Sequence, residues 1–305
     1  MGHDLFSYAV PSDPPLKRGL IRVVEKATGQ PKLKRLYIEN QKFPRADESF
    51  WQAAVRALAL DVRYDAGALA AIPKTGPVVV VANHPYGVLD GIVISWLIGK
   101  QRPDFVVLAH SALVRAAETR DHILPVDFSE TEEAQRINLD SRAKARARLE
   151  RGGVVVVFPA GAVSTAPDRL GARPAVDARW QPFVSQLIQR SRAIVVPVWF
   201  GGQNSRLFQI ASHLSATLRL SLLFHEVKVR MGTALPVMIG APIPFADLAD
   251  LRDRQAMADD LRARVYALAA SVPACDPPAS PVQKLLRPVR MALDPRQRPE
   301  SRTPA

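Results

Sequence analysis

An α/β fold is what this sequence predicts: a largely parallel sheet flanked by helices, preceded by an N-terminal amphipathic helical segment. Three observations carry the prediction. Apolar runs of strand length recur at Val78–Ala82, Val154–Phe158 and Ala193–Phe200. Longer stretches with helical spacing separate them, so strands and helices alternate from about residue 75 to 245. Polar loops follow the runs at their C-terminal ends, where open α/β sheets bind ligands.

Residues 1–14 are polar and contain proline, which reads as an extended arm. In 15–28, Leu16, Leu20, Val23, Val24 and Ala27 share one side, with Arg18, Arg22 and Lys26 on the far side. Lys32, Lys34, Arg35 and Lys42 extend the basic region. Two readings fit: a surface helix lying on anionic lipid, or a helix packed on the domain with a solvated basic face.

The first strand, Val78–Ala82, leads through a polar loop into a helix that begins near Gly91. Strands follow at Phe105–Ala109 and Ile123–Asp127. Ser129 and Glu132 have capping-box spacing and open a helix to about Glu150, ended by Gly152 and Gly153. After the strand at 154–158 come a helix near 182–191, the strand at 193–200 and a helix near 206–222. Val227–Arg230 and Val237–Ile239 read as further strands, 240–244 as a turn, and Asp247–Ala270 as a closing helix. The last residues are rich in Pro and Arg. The division expected is an N-terminal region 1–74, an α/β domain 75–272 and a tail 273–305.

The chain has 305 residues, 48% of them hydrophobic, enough for a sizeable core. Lys and Arg number 41 against 29 Asp and Glu, giving +12, with a pI near 10.2. That balance favours anionic partners: lipid head groups, an acidic carrier protein or nucleic acid. The basic stretches lack a recognised motif and aromatic interleaving, so nucleic acid is set aside. Cys275 is the only cysteine; a disulfide scaffold within this chain and Cys-rich metal centres are excluded. No spanning helix or leader is read, so any membrane contact is expected to be peripheral, at the cytoplasmic face.

The densest chemistry is Asn83-His84-Pro85-Tyr86-Gly87-Val88-Leu89-Asp90. Histidine suits a general base near neutral pH. A carboxylate at its other ring nitrogen would fix the tautomer and stabilise the imidazolium. Asp90 fits equally as a helix cap ahead of Gly91. There is no Gly-x-Ser-x-Gly elbow, phosphate-binding Walker loop, Gly-x-Gly-x-x-Gly fingerprint or His-Glu-x-x-His helix. His110 and His122 sit apart from His84 without ligand spacing, so no metal site is read.

The stretch resembles the first motif of the glycerolipid acyltransferases, the lysophosphatidic acid acyltransferase family, whose signature is Asn-His, a short spacer and Asp. Five residues separate His84 from Asp90 where four are common. Residues 83–91 are most similar to the haemolysin-like, or lyso-ornithine-lipid acyltransferase, branch. Phe158, Pro159, Gly161 and Ser164 match the family's third motif, Phe-Pro-Glu-Gly-Thr-Arg-Ser, but Ala160 and Val163 replace its Glu and Arg. Ala193–Phe200 looks like the fourth motif. Gln203, Asn204 and Arg206 follow it, either lining the cleft or capping the next helix. The Arg expected in the second motif is not evident; Arg115 and Arg120 lie upstream, as substitutes or as solvated helix charges.

The resemblance implies transfer of a fatty acyl group from a thioester to the hydroxyl of a lysolipid. His84 would act as base and Asp90 would orient it. Asn83, Gly87, Arg115, Arg120, Pro159, Gly161, Ser164, Gln203, Asn204 and Arg206 are the candidate substrate contacts, with backbone N–H groups near Gly161 open to an anion. No bound cofactor is implied; the donor is a coenzyme A or acyl carrier protein thioester. Partners would be the lysolipid, an anionic membrane surface and the carrier protein. Replacement of Glu and Arg by Ala160 and Val163 predicts an acceptor other than lysophosphatidic acid, with a lyso-aminolipid favoured. The alternatives are a lipid hydrolase using the same pair on water, and an idle membrane-binding protein of the same fold.

Overall fold

Val78–Ala82 forms the central strand of a seven-stranded sheet, and all five of its side chains are buried. The structure is a computed structural model and describes residues 14–111, 113 and 116–271. The arm before residue 14, Arg115, the tail from 272 and Cys275 therefore lie outside the described residues.

The helices in chain order are α1 (Pro15–Thr28), α2 (Gln30–Lys42), α3 (Phe50–Ala57), α4 (Ala66–Ala70), α5 (Val88–Gln101), α6 (Glu132–Glu150), α7 (Phe183–Ser191), α8 (Arg206–Leu214), α9 (Ala216–Ser221), α10 (Leu223–Arg230) and α11 (Arg254–Ala267). The strands are β1 (Asp61–Arg63), β2 (Val78–Ala82), β3 (Phe105–His110), β4 (Ile123–Val126), β5 (Val154–Val157), β6 (Ile194–Phe200) and β7 (Ala234–Ile239). Their order across the sheet is β1-β7-β6-β2-β5-β3-β4. Pairing is parallel except between β6 and β7, so the sheet is mostly parallel, as expected.

Continuous valine runs suit this position because β2 and β5 are covered on both faces. Alternate residues feed two cores. Val78, Val80, Val154 and Val156 pack with Trp51, Leu89, Val93 and Phe224 on one face. Val79, Val81, Val155 and Val157 pack with Trp180, Ile188, Met257 and Leu261 on the other. The chain leaves β2 for β3, then returns to place β5 between them, while β6 lies on the opposite side of β2. That reversal opens a crevice at the C-terminal end of β2, where Asn83 and His84 follow.

Several expectations need correction. Val227–Arg230 is helical, part of α10: Leu223, Phe224 and Val227 share a buried helical face, which a four-residue alternation cannot distinguish from a strand. The helix expected over 206–222 breaks at Ser215, whose extended backbone and side chain cap α9. The cap of α6 is Thr131, which accepts from Ala134 N at 3.1 Å; Ser129 bonds Asp127 instead. The closing helix is shorter, starting after an Asp253 cap. Strand β1, which pairs with β7, and helices α2 to α4 were not anticipated.

Helix α1 forms where its spacing predicts, but the leucine stripe is not its buried face. Ile21 and Glu25 are buried, whereas Leu16, Leu20 and Val23 are 89%, 48% and 66% exposed. No helix among the described residues is long and apolar enough to cross a membrane.

Candidate active site

Asn83 fixes where the loop starts. Its side-chain amide donates to the Phe200 carbonyl at 2.9 Å, and its side-chain oxygen accepts from Phe200 N at 2.7 Å. The residue is buried, and these two bonds lock the end of β2 to the end of β6. Gly87 then caps α5 with φ 79° and ψ −103°, a conformation that favours glycine. A Cβ there would meet Val163 Cγ2 at 3.0 Å and Leu223 Cδ2 at 3.1 Å.

Asp90, in the first turn of α5, is fully buried. Its Oδ2 accepts from Tyr86 N at 2.8 Å and Gly87 N at 2.9 Å, and lies 3.1 Å from His84 Nδ1. Asp90 is not the N-cap ahead of Gly91 that its spacing suggested, because the helix already starts at Val88 with Gly87 as its cap; from the third helical position a single Asp90 oxygen holds the loop and faces the imidazole. Burial pushes the Asp90 carboxyl above the ordinary carboxylate range, against the pull of His84 and the two N–H donors. A buried carboxylate beside an imidazole favours the Nδ1–H tautomer and stabilises the imidazolium when it forms. The His84 ring lies on Phe158, with centroids 4.1 Å apart and planes at 30°.

Asp177, which no motif marks, holds the backbone of His84. Its Oδ1 accepts from His84 N at 3.1 Å and from Ser164 Oγ at 2.5 Å; its Oδ2 accepts from Trp180 Nε1 at 2.8 Å. The Asp177 backbone is itself fixed, donating to the Tyr266 hydroxyl at 2.7 Å and accepting from Arg262 at 2.9 Å. Burial, followed by the Asp177 charge, pushes the Tyr266 hydroxyl up to about 12. Ser164 completes the clamp, because its N–H donates to the His84 carbonyl at 2.8 Å. Both ends of the segment 164–177 therefore grip the same residue.

Pro159 and Gly161 form the turn that ends β5. The Gly161 N–H itself donates to the Phe158 carbonyl at 3.0 Å. Gln203 Oε1 accepts from Ala175 N at 2.7 Å, and Arg206 Nε donates to the Leu170 carbonyl at 2.8 Å. Both thus brace the 164–177 segment. Asn204 is buried, and its amide has no hydrogen-bond partner among the described residues. Arg120 is exposed and precedes β4, which runs parallel to β3. It therefore sits at the N-terminal edge of the sheet, at the other end from His84.

Two arginines that sequence reasoning passed over border the loop. Arg230 lies 4.9 Å over the Tyr86 ring and donates to the Gln203 carbonyl. Arg219, on α9, donates to the Val163 carbonyl, and burial pulls its guanidinium below the usual arginine range. Beyond the loop, α2, α3, α5 and α10 border a half-open apolar cavity of about 120 Å³. Leu33, Leu36, Phe50, Ala53, Phe224 and Val227 line it, and it reaches α5 at Val88 and Ile92, next to Gly87.

The arrangement offers a buried carboxylate, a partly exposed imidazole and an adjacent apolar space: a base able to take a proton from a hydroxyl carried by an apolar molecule. A protein-family model described as Acyltransferase matches residues 33–275. A lyso-glycine lipid O-acyltransferase of Bacteroides thetaiotaomicron is 24% identical over 217 residues, covering 68% of this chain and 76% of that protein. One of Phocaeicola vulgatus is 25% identical over 194 residues, covering 61% and 66%. The crystal structure of the 1-acyl-sn-glycerophosphate acyltransferase PlsC from Thermotoga maritima is similar with a TM-score of 0.47, at 15% identity, over 85% of this chain and 82% of that one.

Proposed function

Since the chain belongs to this acyltransferase family, we propose that it moves a fatty acyl group from a coenzyme A or acyl carrier protein thioester to the hydroxyl of a lysolipid with an amino-acid head group. The observation that carries the proposal is the His84–Asp90 pair, 3.1 Å apart at the C-terminal end of the central strand.

His84 Nε2 takes the proton of the acceptor hydroxyl as that oxygen attacks the thioester carbonyl. The tetrahedral oxyanion collapses, the carbon–sulfur bond breaks, and the departing thiolate takes the proton from the imidazolium. The products are an ester and a free thiol. Asp90 stabilises the imidazolium between the two transfers. The donor is already activated, so no acyl-enzyme is required. General-base help of this kind is worth about 10²–10⁴-fold. The acyl chain occupies the apolar cavity that reaches Val88 and Ile92.

The choice of a lyso-aminolipid draws on the names of the two relatives, both lyso-glycine lipid O-acyltransferases. It draws also on Ala160 and Val163, which stand where the resemblance expects Glu and Arg. The acceptor comes from a bilayer, and the outward stripe of Leu16, Leu20 and Val23 with Arg22 and Lys26 on the same helix suits a peripheral helix on anionic lipid. Radiolabelled acyl-coenzyme A and acyl carrier protein, each offered with a panel of lysolipids, test the proposal by product mass. Acylated lyso-aminolipid is expected. Release of free fatty acid alone would replace acyl transfer with hydrolysis.

A further inference from the structure

Arg102 shows how this fold treats a buried guanidinium. It is held by both carboxylate oxygens of Asp104 and by the carbonyls of Pro73, Gly76 and Gly152. Arg219 is treated differently. It is partly buried, yet its contacts are the Val163 carbonyl and the face of the Phe208 ring, 5.9 Å away. Among the described residues no carboxylate pairs with it, and desolvation is what acts on its charge. A guanidinium has five N–H donors, and a desolvated cation without a counter-charge is unfavourable until an anion meets it.

Its position gives that anion a purpose. The Val163 carbonyl belongs to the same peptide as the Ser164 N–H that holds the His84 carbonyl at 2.8 Å. Val163 also packs toward Gly87, and Leu223, one turn beyond Arg219, packs there too. The guanidinium is thus one peptide from the backbone of His84. Helix α9, which carries it, also packs against α1, the helix with the exposed leucine stripe.

We infer that Arg219 is the anchor for an oxyanion on the acceptor head group, holding it while the acceptor hydroxyl faces His84. This rests on the acyl-transfer reading above and names the charge that the acceptor carries. The planar fork of arginine matches a carboxylate or a phosphate through two parallel hydrogen bonds. An amino acid acylated on its amine keeps its carboxylate; a lysophosphatidate carries a phosphate. Either supplies the missing charge.

Calorimetric titration of the full-length protein tests this without a donor. The probes are N-(3-hydroxyoctanoyl)glycine, its methyl ester and a short-chain lysophosphatidic acid. The wild-type protein is expected to bind the free acid about 10–100-fold more tightly than the ester, the range of one charge-assisted contact. Arg219→Gln should remove that preference by weakening the acid alone, and Arg219→Lys should keep part of it. Tighter binding of the lysophosphatidic acid would assign the anion to phosphate instead of carboxylate. Equal binding of acid and ester by the wild type, with lysophosphatidic acid bound no more tightly than either, overturns the inference, as does an undiminished anion preference in Arg219→Gln, or in Arg219→Met should the glutamine variant not fold. Anion preference in a wild type that transfers no acyl group sinks the acyl-transfer reading alone. Equal acylation of acid and ester sinks the Arg219 anchor alone.

Discussion

Asp177 Oδ1 accepts the backbone N–H of His84 at 3.1 Å, across 93 residues of chain. The carboxylate that positions the candidate base is thus a different one from the carboxylate that faces its ring. Asp177→Ala would leave His84 N, Ser164 Oγ and Trp180 Nε1 without their acceptor. Each stranded buried donor costs ~1–3 kcal/mol, so the variant should lose about 3 kcal/mol or more in urea unfolding. Asp177→Asn, which keeps one acceptor oxygen, should recover part of both stability and kcat. A variant as stable and active as wild type would remove Asp177 from the account.

His84→Ala should reduce acyl transfer by about 10²–10⁴-fold while leaving the melting temperature within a few degrees. Its ring is partly exposed and rests on Phe158, so little packing is lost. Turnover near wild type in the folded variant would end the mechanism.

Asp90→Asn should also lose most activity, and its stability should carry a pH signature. The native carboxyl is raised, whereas the unfolded chain titrates near about 3.9. Between those values the native state holds the extra proton, so stability falls as pH rises. Asparagine lacks this dependence. The melting temperature of Asp90→Asn minus that of wild type should therefore grow as pH is raised from the unfolded value of about 3.9 through the native one. A difference that shrinks over that range would contradict the burial argument.

Gly87→Ala combines a disfavoured backbone with two close contacts, Val163 Cγ2 and Leu223 Cδ2. A strained position of this kind costs ~1–3 kcal/mol. Because Gly87 N is also a donor to Asp90, kcat/KM should fall about tenfold or more together with stability. Activity unchanged alongside the expected destabilisation would separate the loop's shape from its chemistry.

Ala53 lines the apolar cavity, and Ala53→Leu would fill part of it. Excluding two methylenes of an acyl chain forfeits ~0.8 kcal/mol each, so preference for long over short donors should drop about tenfold. The same chain-length profile in wild type and variant would place the acyl chain elsewhere.

Liposome flotation separates charge from insertion at α1. Arg22→Glu with Lys26→Glu should weaken binding to anionic vesicles at low salt, each charge being worth about 1 kcal/mol at the surface. Leu20→Glu with Val23→Glu should weaken it at low and high salt alike, since apolar burial is not screened. Undiminished flotation by both pairs would take α1 off the bilayer.

The central strand and its loop were legible because their determinants are contiguous. Five apolar residues, Asn83, His84 and Asp90 fall within one short stretch, and so the motif and the capping arrangement coincide. Asp177, Tyr266 and Arg219 were not legible, because each acts on a partner brought close only by the sheet. The place of Arg120 was not legible, because nearness along the chain says nothing about which end of a parallel strand a residue occupies. The stripe of α1 was visible but not its direction: amphipathic spacing marks a face without saying whether core or surroundings receives it. Val227–Arg230 was too short for its period to decide between strand and helix.

The placement of β2 sets a timetable for synthesis. It is flanked by β5 and β6, with Val78 opposite Val154 and Ile194, and the clamp on His84 ends at Tyr266 in α11. A nascent chain still short of α11 has His84 and Asp90 in sequence but not the frame that holds them. Such an unfinished chain on the ribosome should therefore be inert toward acyl thioesters until nearly the whole described fold has emerged.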